Sequence, residues 1–152
     1  MGLMGPKHPT VRVRVRYMDA RIDVILAPLI KTLWQYGIVT LNCCQENRPG
    51  IAWIQFQTPW DATNFLNVVA DLPTKQQLKT YQFWDTTYGR ITREGQFGEW
   101  EYKCHVRNEN ENIGKALFNF AISVRFPVTD LPAIMKAFGD KQRVLERIRN
   151  VY

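Results

Sequence analysis

From Phe118 to Phe126 every second residue is apolar: Phe118, Phe120, Ile122, Val124 and Phe126 alternate with Asn119, Ala121, Ser123 and Arg125. A period of two puts the apolar set on one side of an extended chain and fixes which face meets a core. The run then changes period. Pro127-Val128-Thr129-Asp130-Leu131-Pro132 reads as a capped helix start, and Leu131, Ile134, Met135 and Phe138 follow at helical spacing up to Gly139. The same succession occurs earlier in the chain. Trp53-Ile54-Gln55-Phe56 leads through Thr58-Pro59-Trp60-Asp61 into a helix with Ala62, Phe65, Leu66 and Val69 on its buried stripe. Two such switches predict a single α+β domain over residues 1–152, mostly antiparallel sheet with helices packed on one face. The expected architecture is ferredoxin-like with extra strands, in two similar halves (10–73 and 99–152) joined by a polar connection, 74–98.

The remaining segments fill in that outline. Val11, Val13 and Val15 alternate with Arg12, Arg14 and Arg16, which predicts a half-buried strand. Ile22, Ile25, Leu26, Leu29, Ile30 and Leu33 recur with helical spacing, and Gly37 closes that helix. Pro28 is tolerated there only in an early turn or at a bend. Residues 38–44 read as a second strand, 45–50 as a turn and 51–56 as a strand inside the sheet. Trp100, Tyr102, Cys104 and Val106 alternate with charged residues, so they predict another strand. A last helix follows Asp140 with Val144, Leu145 and Ile148 inward.

At 152 residues the chain has room for one good core, and no apolar run approaches the roughly 20 residues that cross a bilayer. No membrane partner is therefore expected, and a cytoplasmic protein is. Net charge is +6 and is unevenly spread: each end carries seven basic and three acidic side chains (residues 1–48 and 115–152), while the middle is mildly acidic. A basic surface favours nucleic acid or nucleotides, provided the two ends meet. Three cysteines, Cys43, Cys44 and Cys104, with no secretory signal argue for reduced thiols. A zinc site would require Cys43 or Cys44 to converge with Cys104 and His105, so no metal and no cofactor are expected.

The sharpest candidate site is Arg12, Arg14 and Arg16, placed by alternation on one strand face about 6–7 Å apart. Arginine suits bidentate phosphate contacts, and Tyr17 stands beside it to stack a base. Arg48 and the basic last helix, with Lys141, Arg143 and Arg147, extend the candidate phosphate-binding set. Salt bridges to Glu99 or Glu101 are the competing use of the arginines. Five tryptophans are many for so small a core. Trp84 and Trp100, in hydrophilic surroundings, are candidates for stacking or for an oligomer or protein-partner interface. Cys44 at a strand end is a possible reactive thiol, with His105 as base and Glu46 or Asp61 as orienter.

Within Ile22 to Cys44, the elements Ile22-Asp23, Ala27-Pro28-Leu29-Ile30, Gly37-Ile38, Thr40 and Cys44 resemble the helix-to-cysteine segment of the wybutosine-synthesising tRNA-modification family. The Ser-Cys-Ser-Gly-Arg element of that family reads Cys43-Cys44-Gln45-Glu46-Asn47 here. Its serines and glycine are missing, so the resemblance implies neither function nor membership. Nucleotide-binding glycine loops, metalloprotease and hydrolase signatures are absent. A non-catalytic module for a phosphate-bearing ligand (RNA, DNA or a nucleotide) is the favoured expectation. The alternatives are a tryptophan-mediated interaction or oligomer-forming subunit and a small thiol-dependent enzyme.

Overall fold

Each of three antiparallel hairpins runs into a helix whose first turn holds a proline. In the computed structural model, which describes residues 8–69, 100–108 and 118–149, these units follow one another along the chain. The first is β1 (Thr10–Val15), β2 (Met18–Asp23) and α1 (Ala27–Gln35); the second is β3 (Thr40–Arg48), β4 (Ile51–Phe56) and α2 (Pro59–Val69). The third is β5 (Glu101–Asn108) and β6 (Phe118–Pro127), followed by a 3-10 turn (Val128–Asp130) and α3 (Leu131–Phe138). A fourth helix, α4 (Lys141–Arg149), closes the described chain. Proline at a first turn costs nothing, because that N–H has no intrahelical partner. Pro28 therefore starts α1 rather than bending it. Ile22, expected within that helix, instead belongs to β2.

The fold is α+β, with β1 and β2 forming one sheet and the other strands a four-stranded antiparallel sheet in the order β3-β4-β6-β5. The two central strands, β4 and β6, pair directly, Ile54 opposite Val124 and Phe56 opposite Ile122. They are the equivalent strands of the second and third units, so the echo read in the sequence lies across the middle of the sheet. The first hairpin stands outside β3 in a sheet of its own.

Helix ends follow their local chemistry. Gly37 at φ +78° ends α1, its N–H bonding to Trp34 O (3.0 Å) while Ile38 N–H reaches Leu33 O (2.9 Å), the paired bonds of a Schellman motif. At the start of α2, Asp61 N–H bonds to Thr58 Oγ1 (3.1 Å), and the Thr58 hydroxyl donates to Asp61 Oδ2 (2.6 Å). The other carboxylate oxygen accepts Val39 N–H at 2.9 Å, so the buried Asp61 ties α2 to the approach to β3. Asp130, expected to cap the third helix, makes no side-chain cap bond there. It accepts the indole N–H of Trp100 at 2.7 Å, because a buried donor needs a partner more than an exposed helix end does.

One hydrophobic cluster joins both sheets and all four helices, from Val13 and Ile22 on the hairpin to Val144 on α4. Phe65 is its hub, with ring centroids 5.1 Å from Phe56, 5.9 Å from Phe138 and 6.1 Å from Trp100. Phe126 joins it as expected. Phe120 does not: it lies near the end of β6 opposite Val106, and both are exposed.

Asp61 satisfies two donors from a buried position, so Asp61→Ala should cost about 2 kcal/mol of unfolding free energy. Because Thr58 shares the bond, Thr58→Ala/Asp61→Ala should cost less than the sum of its single variants. Urea unfolding of the four proteins checks both statements.

Candidate functional site

The β1–β2 ladder sorts the first hairpin into two faces. Val13 and Ile22 enter the core, while Thr10, Arg12, Arg14, Asp19, Arg21 and Asp23 lie on the opposite face. Arg12 stands directly across from Arg21, and Arg14 across from Asp19. Both Arg12 and Arg14 converge on that one carboxylate. Arg12 Nε donates to Asp19 Oδ1 at 2.8 Å and its Nη2 to Oδ2 at 2.5 Å, while Arg14 reaches Oδ2 through Nε (3.2 Å) and Nη2 (3.0 Å). Arg21 folds back on Thr10, donating from Nε to the hydroxyl and from Nη2 to the carbonyl, both at 3.0 Å. The offsetting acid is Asp19 and not Glu101, which faces Arg48 and Arg125; Glu99 lies outside the described residues. Arg12 and Arg14 remain more than half exposed.

Arg16 does not share that face. It occupies the two-residue turn with Tyr17, because the ladder closes at Val15 and Met18. Its backbone lies at φ +54°, a region in which a side chain is strained. Tyr17 beside it is fully exposed. The hairpin tip therefore presents a guanidinium and a phenol beyond the ladder. Asp19, Arg21 and Asp23 are the members of this face that the sequence reading missed. Their signal was the alternation of Met18, Ala20 and Ile22 with Asp19, Arg21 and Asp23, hidden by the helical spacing that also starts at Ile22.

The other candidates scatter. Trp100, expected at a surface, is buried between Phe65 and Phe126 with its N–H on Asp130. Trp84 lies outside the described residues. Arg143 is structural, donating from Nη1 to Val68 O at 2.9 Å at the end of α2. Lys141 and Arg147 share α4 with it, and α4 packs into the core through Val144. The hairpin turns its arginines away from that same core. Arg48 lies at the end of β3 and reaches Glu101 on β5 at 3.5 Å, where Arg125 also approaches at 3.8 Å.

That ion cluster lies on the sheet face opposite the core. The register places Asn42, Cys44, Trp53, Gln55, Lys103, His105, Ser123 and Arg125 on this face. His105 lies on β5, at the opposite edge of the sheet from Cys44 on β3, and bonds to Ser123 Oγ at 2.8 Å, while Asp61 is occupied at the start of α2. Among the described residues the indole N–H of half-buried Trp53 has no hydrogen-bond partner.

Among the described residues the two sheets are clasped by hydrogen bonds at one point. Gln45 N–H donates to Asp23 Oδ2 at 2.8 Å, and Gln45 Oε1 accepts Ile25 N–H at 3.2 Å. Beyond this clasp, β2 and β3 diverge around a cleft of about 270 Å³, lined by Met18, Ala20 and Ile22 on one side and Thr40 to Cys43 on the other, with Trp34 between. Trp34 is fixed by its N–H on Thr40 Oγ1 at 3.0 Å. Burial, with Asp23 and Cys44 beside it, pushes the Cys43 thiol up to about 12, so this cysteine stays protonated and unreactive at neutral pH. Cys44 points to the other face, towards Asp23 and His8.

Comparison with known proteins adds one relative. An uncharacterized protein of Acanthamoeba polyphaga mimivirus, R428, is 29% identical over 125 residues, which cover 77% of this chain. The chain spans 60% of that protein's length. No family model and no solved structure matches.

Hydrogen bonds from Arg12, reinforced by Arg14, hold the Asp19 carboxyl well below the usual carboxylate range despite some desolvation. A lowered folded-state value means that the charged carboxylate supports the hairpin above the unfolded value of about 3.9. That support is lost only as pH falls through the lower folded value. The Asp19 carboxyl carbon, followed by NMR, should titrate well below an aspartate in a model peptide, and Arg12→Ala/Arg14→Ala should bring it back to the ordinary range.

Proposed function

We propose that the protein is a non-catalytic nucleic-acid-binding module that grips phosphates with its first hairpin. The observation that carries this reading is Arg12 directly opposite Arg21 on a two-stranded ribbon, flanked by Arg14, with Asp19 opposite Arg14 and Asp23 opposite Thr10 as the carboxylates of that face. Like charges facing each other across an antiparallel pair oppose folding. A stable hairpin gains nothing from that arrangement, whereas a polyanion does. Asp19 holds Arg12 and Arg14 by one edge of each guanidinium, leaving Nη1 of both to donate outward. These cations are thus oriented before a ligand arrives, which reduces the entropy lost on binding. The strained Arg16 supports the same reading, since a side chain kept in a costly backbone region points to use. Tyr17 supplies a ring for stacking. A nucleotide is the smaller ligand of this chemistry, and Arg48, Lys141 and Arg147 supply long-range attraction. An oligomer held by tryptophans has less support, with Trp100 in the core.

Four hairpin phosphate contacts would make log K fall with log salt at a slope of about −3. For Arg12→Ala/Arg16→Ala/Arg21→Ala the slope should drop to about −1, measured by fluorescence anisotropy on labelled single- and double-stranded oligonucleotides. Lys141→Ala/Arg147→Ala should leave it nearly unchanged. Equal losses from both sets, or no binding at low salt, overturn the proposal. Arg16→Gly should move the two properties in opposite directions, stabilising the fold by about 0.5 kcal/mol through relief of the positive φ while weakening binding. Thermal unfolding beside the same titration checks the pair.

A further inference from the structure

The one convergence of metal-ligating side chains among the described residues brings together groups that are far apart in sequence and were not paired in the sequence reading. His8 precedes β1, Asp23 ends β2 and Cys44 lies in β3. One nitrogen, one carboxylate oxygen and one sulfur from them all lie within 4.8 Å of one another, and all three residues are half-buried. We propose that this triangle is a site for a borderline divalent transition-metal ion, zinc foremost, which bolts the arginine hairpin to the main sheet.

The geometry distinguishes a metal site from the other chemistry this trio could perform. In a nucleophilic relay the cysteine and the carboxylate stand on opposite sides of the imidazole, one on each ring nitrogen. Sulfur and carboxylate oxygen are then separated by the width of the ring plus two hydrogen bonds, about 7–8 Å. Here both approach the same side, which suits donors sharing one centre. A tetrahedral ion with bonds of about 2.0–2.3 Å spaces its ligand atoms about 3.5 Å apart. Small side-chain rotations close that gap.

The donor set selects the ion. A thiolate and an imidazole favour zinc and its neighbours over magnesium or calcium, which take oxygen ligands. Three protein ligands leave a fourth position for water. The surroundings behave as a supporting shell. Asp23 is oriented by Gln45 N–H on its Oδ2, which frees Oδ1, and the segment bearing His8 is fixed by Val24 N–H on Pro9 O at 3.0 Å. His8 makes no hydrogen bond that would compete for its ring among the described residues.

The test is titration of the metal-stripped full chain with Co²⁺ and, separately, Zn²⁺. The expected result is one ion per chain, visible bands of tetrahedral Co²⁺ and a thiolate-to-metal charge-transfer band. Cys44→Ser should abolish the charge-transfer band, and His8→Ala should weaken Zn²⁺ at least tenfold. Cys104→Ser should change neither, since Cys104 lies on the far edge strand β5. Zn²⁺ should raise the Tm of the wild type and leave that of Cys44→Ser in place. His8 lies outside every strand and helix, so its variant keeps the fold and tests the ligand alone. Binding unchanged in Cys44→Ser or His8→Ala, or lost in Cys104→Ser, overturns the proposal.

Discussion

Everything distinctive about this molecule depends on the two hydrogen bonds between Asp23, Gln45 and Ile25. The first hairpin pairs with no strand of the main sheet, so without that clasp β2 and β3 would be joined only through α1 and shared core side chains. The clasp replaces a full ladder with a single fixed point. Strands pinned at one end and free to diverge leave the cleft above Trp34, and the pinned end gathers His8, Asp23 and Cys44. A carboxylate accepting a backbone N–H is stronger than a neutral pair, which is why one residue suffices.

The hairpin shows how electrostatics and packing divide the work. Its apolar face is held by the common core, so its outer face is free to carry charge that no isolated hairpin would tolerate. Asp19 offsets part of it and orients two guanidiniums at once, while Arg21 is satisfied locally on Thr10. The sheet beyond Cys44 continues this polar surface through Trp53 towards Arg48, Glu101 and Arg125. The helical side of the core carries its own basic residues on α4, and one of them, Arg143, is spent on the end of α2.

Where periodicity was unambiguous, the sequence read correctly: the strand Phe118–Pro127, the Thr58-Pro59-Asp61 helix start and the Gly37 stop all form as their local chemistry requires. Two overlapping periods defeated the reading at Ile22, which satisfies an alternating strand and a helical stripe equally well. The turn at Arg16 was hidden because nothing local marks it; arginine and tyrosine replace the usual glycine or asparagine. Trp100 looked exposed because its sequence neighbours are polar, yet burial is decided by the sheet it enters and by Asp130, thirty positions away. His8, Asp23 and Cys44 carry no common spacing, so only the arrangement of three segments could bring them together.

The pairing of β4 with β6 has a consequence for how the chain reaches this fold. Each hairpin joins neighbours in sequence, and each helix follows its own hairpin, so the three units can acquire structure from local contacts. The central ladder joins residues 66–76 positions apart, a closure whose entropic cost grows with the logarithm of the loop. That seam raises the contact order of an otherwise local topology, and contact order slows folding. The hairpins are thus the fast elements and the sheet's midline is the slow one. Until the midline forms, the apolar faces of both central strands lie open to water and to other chains.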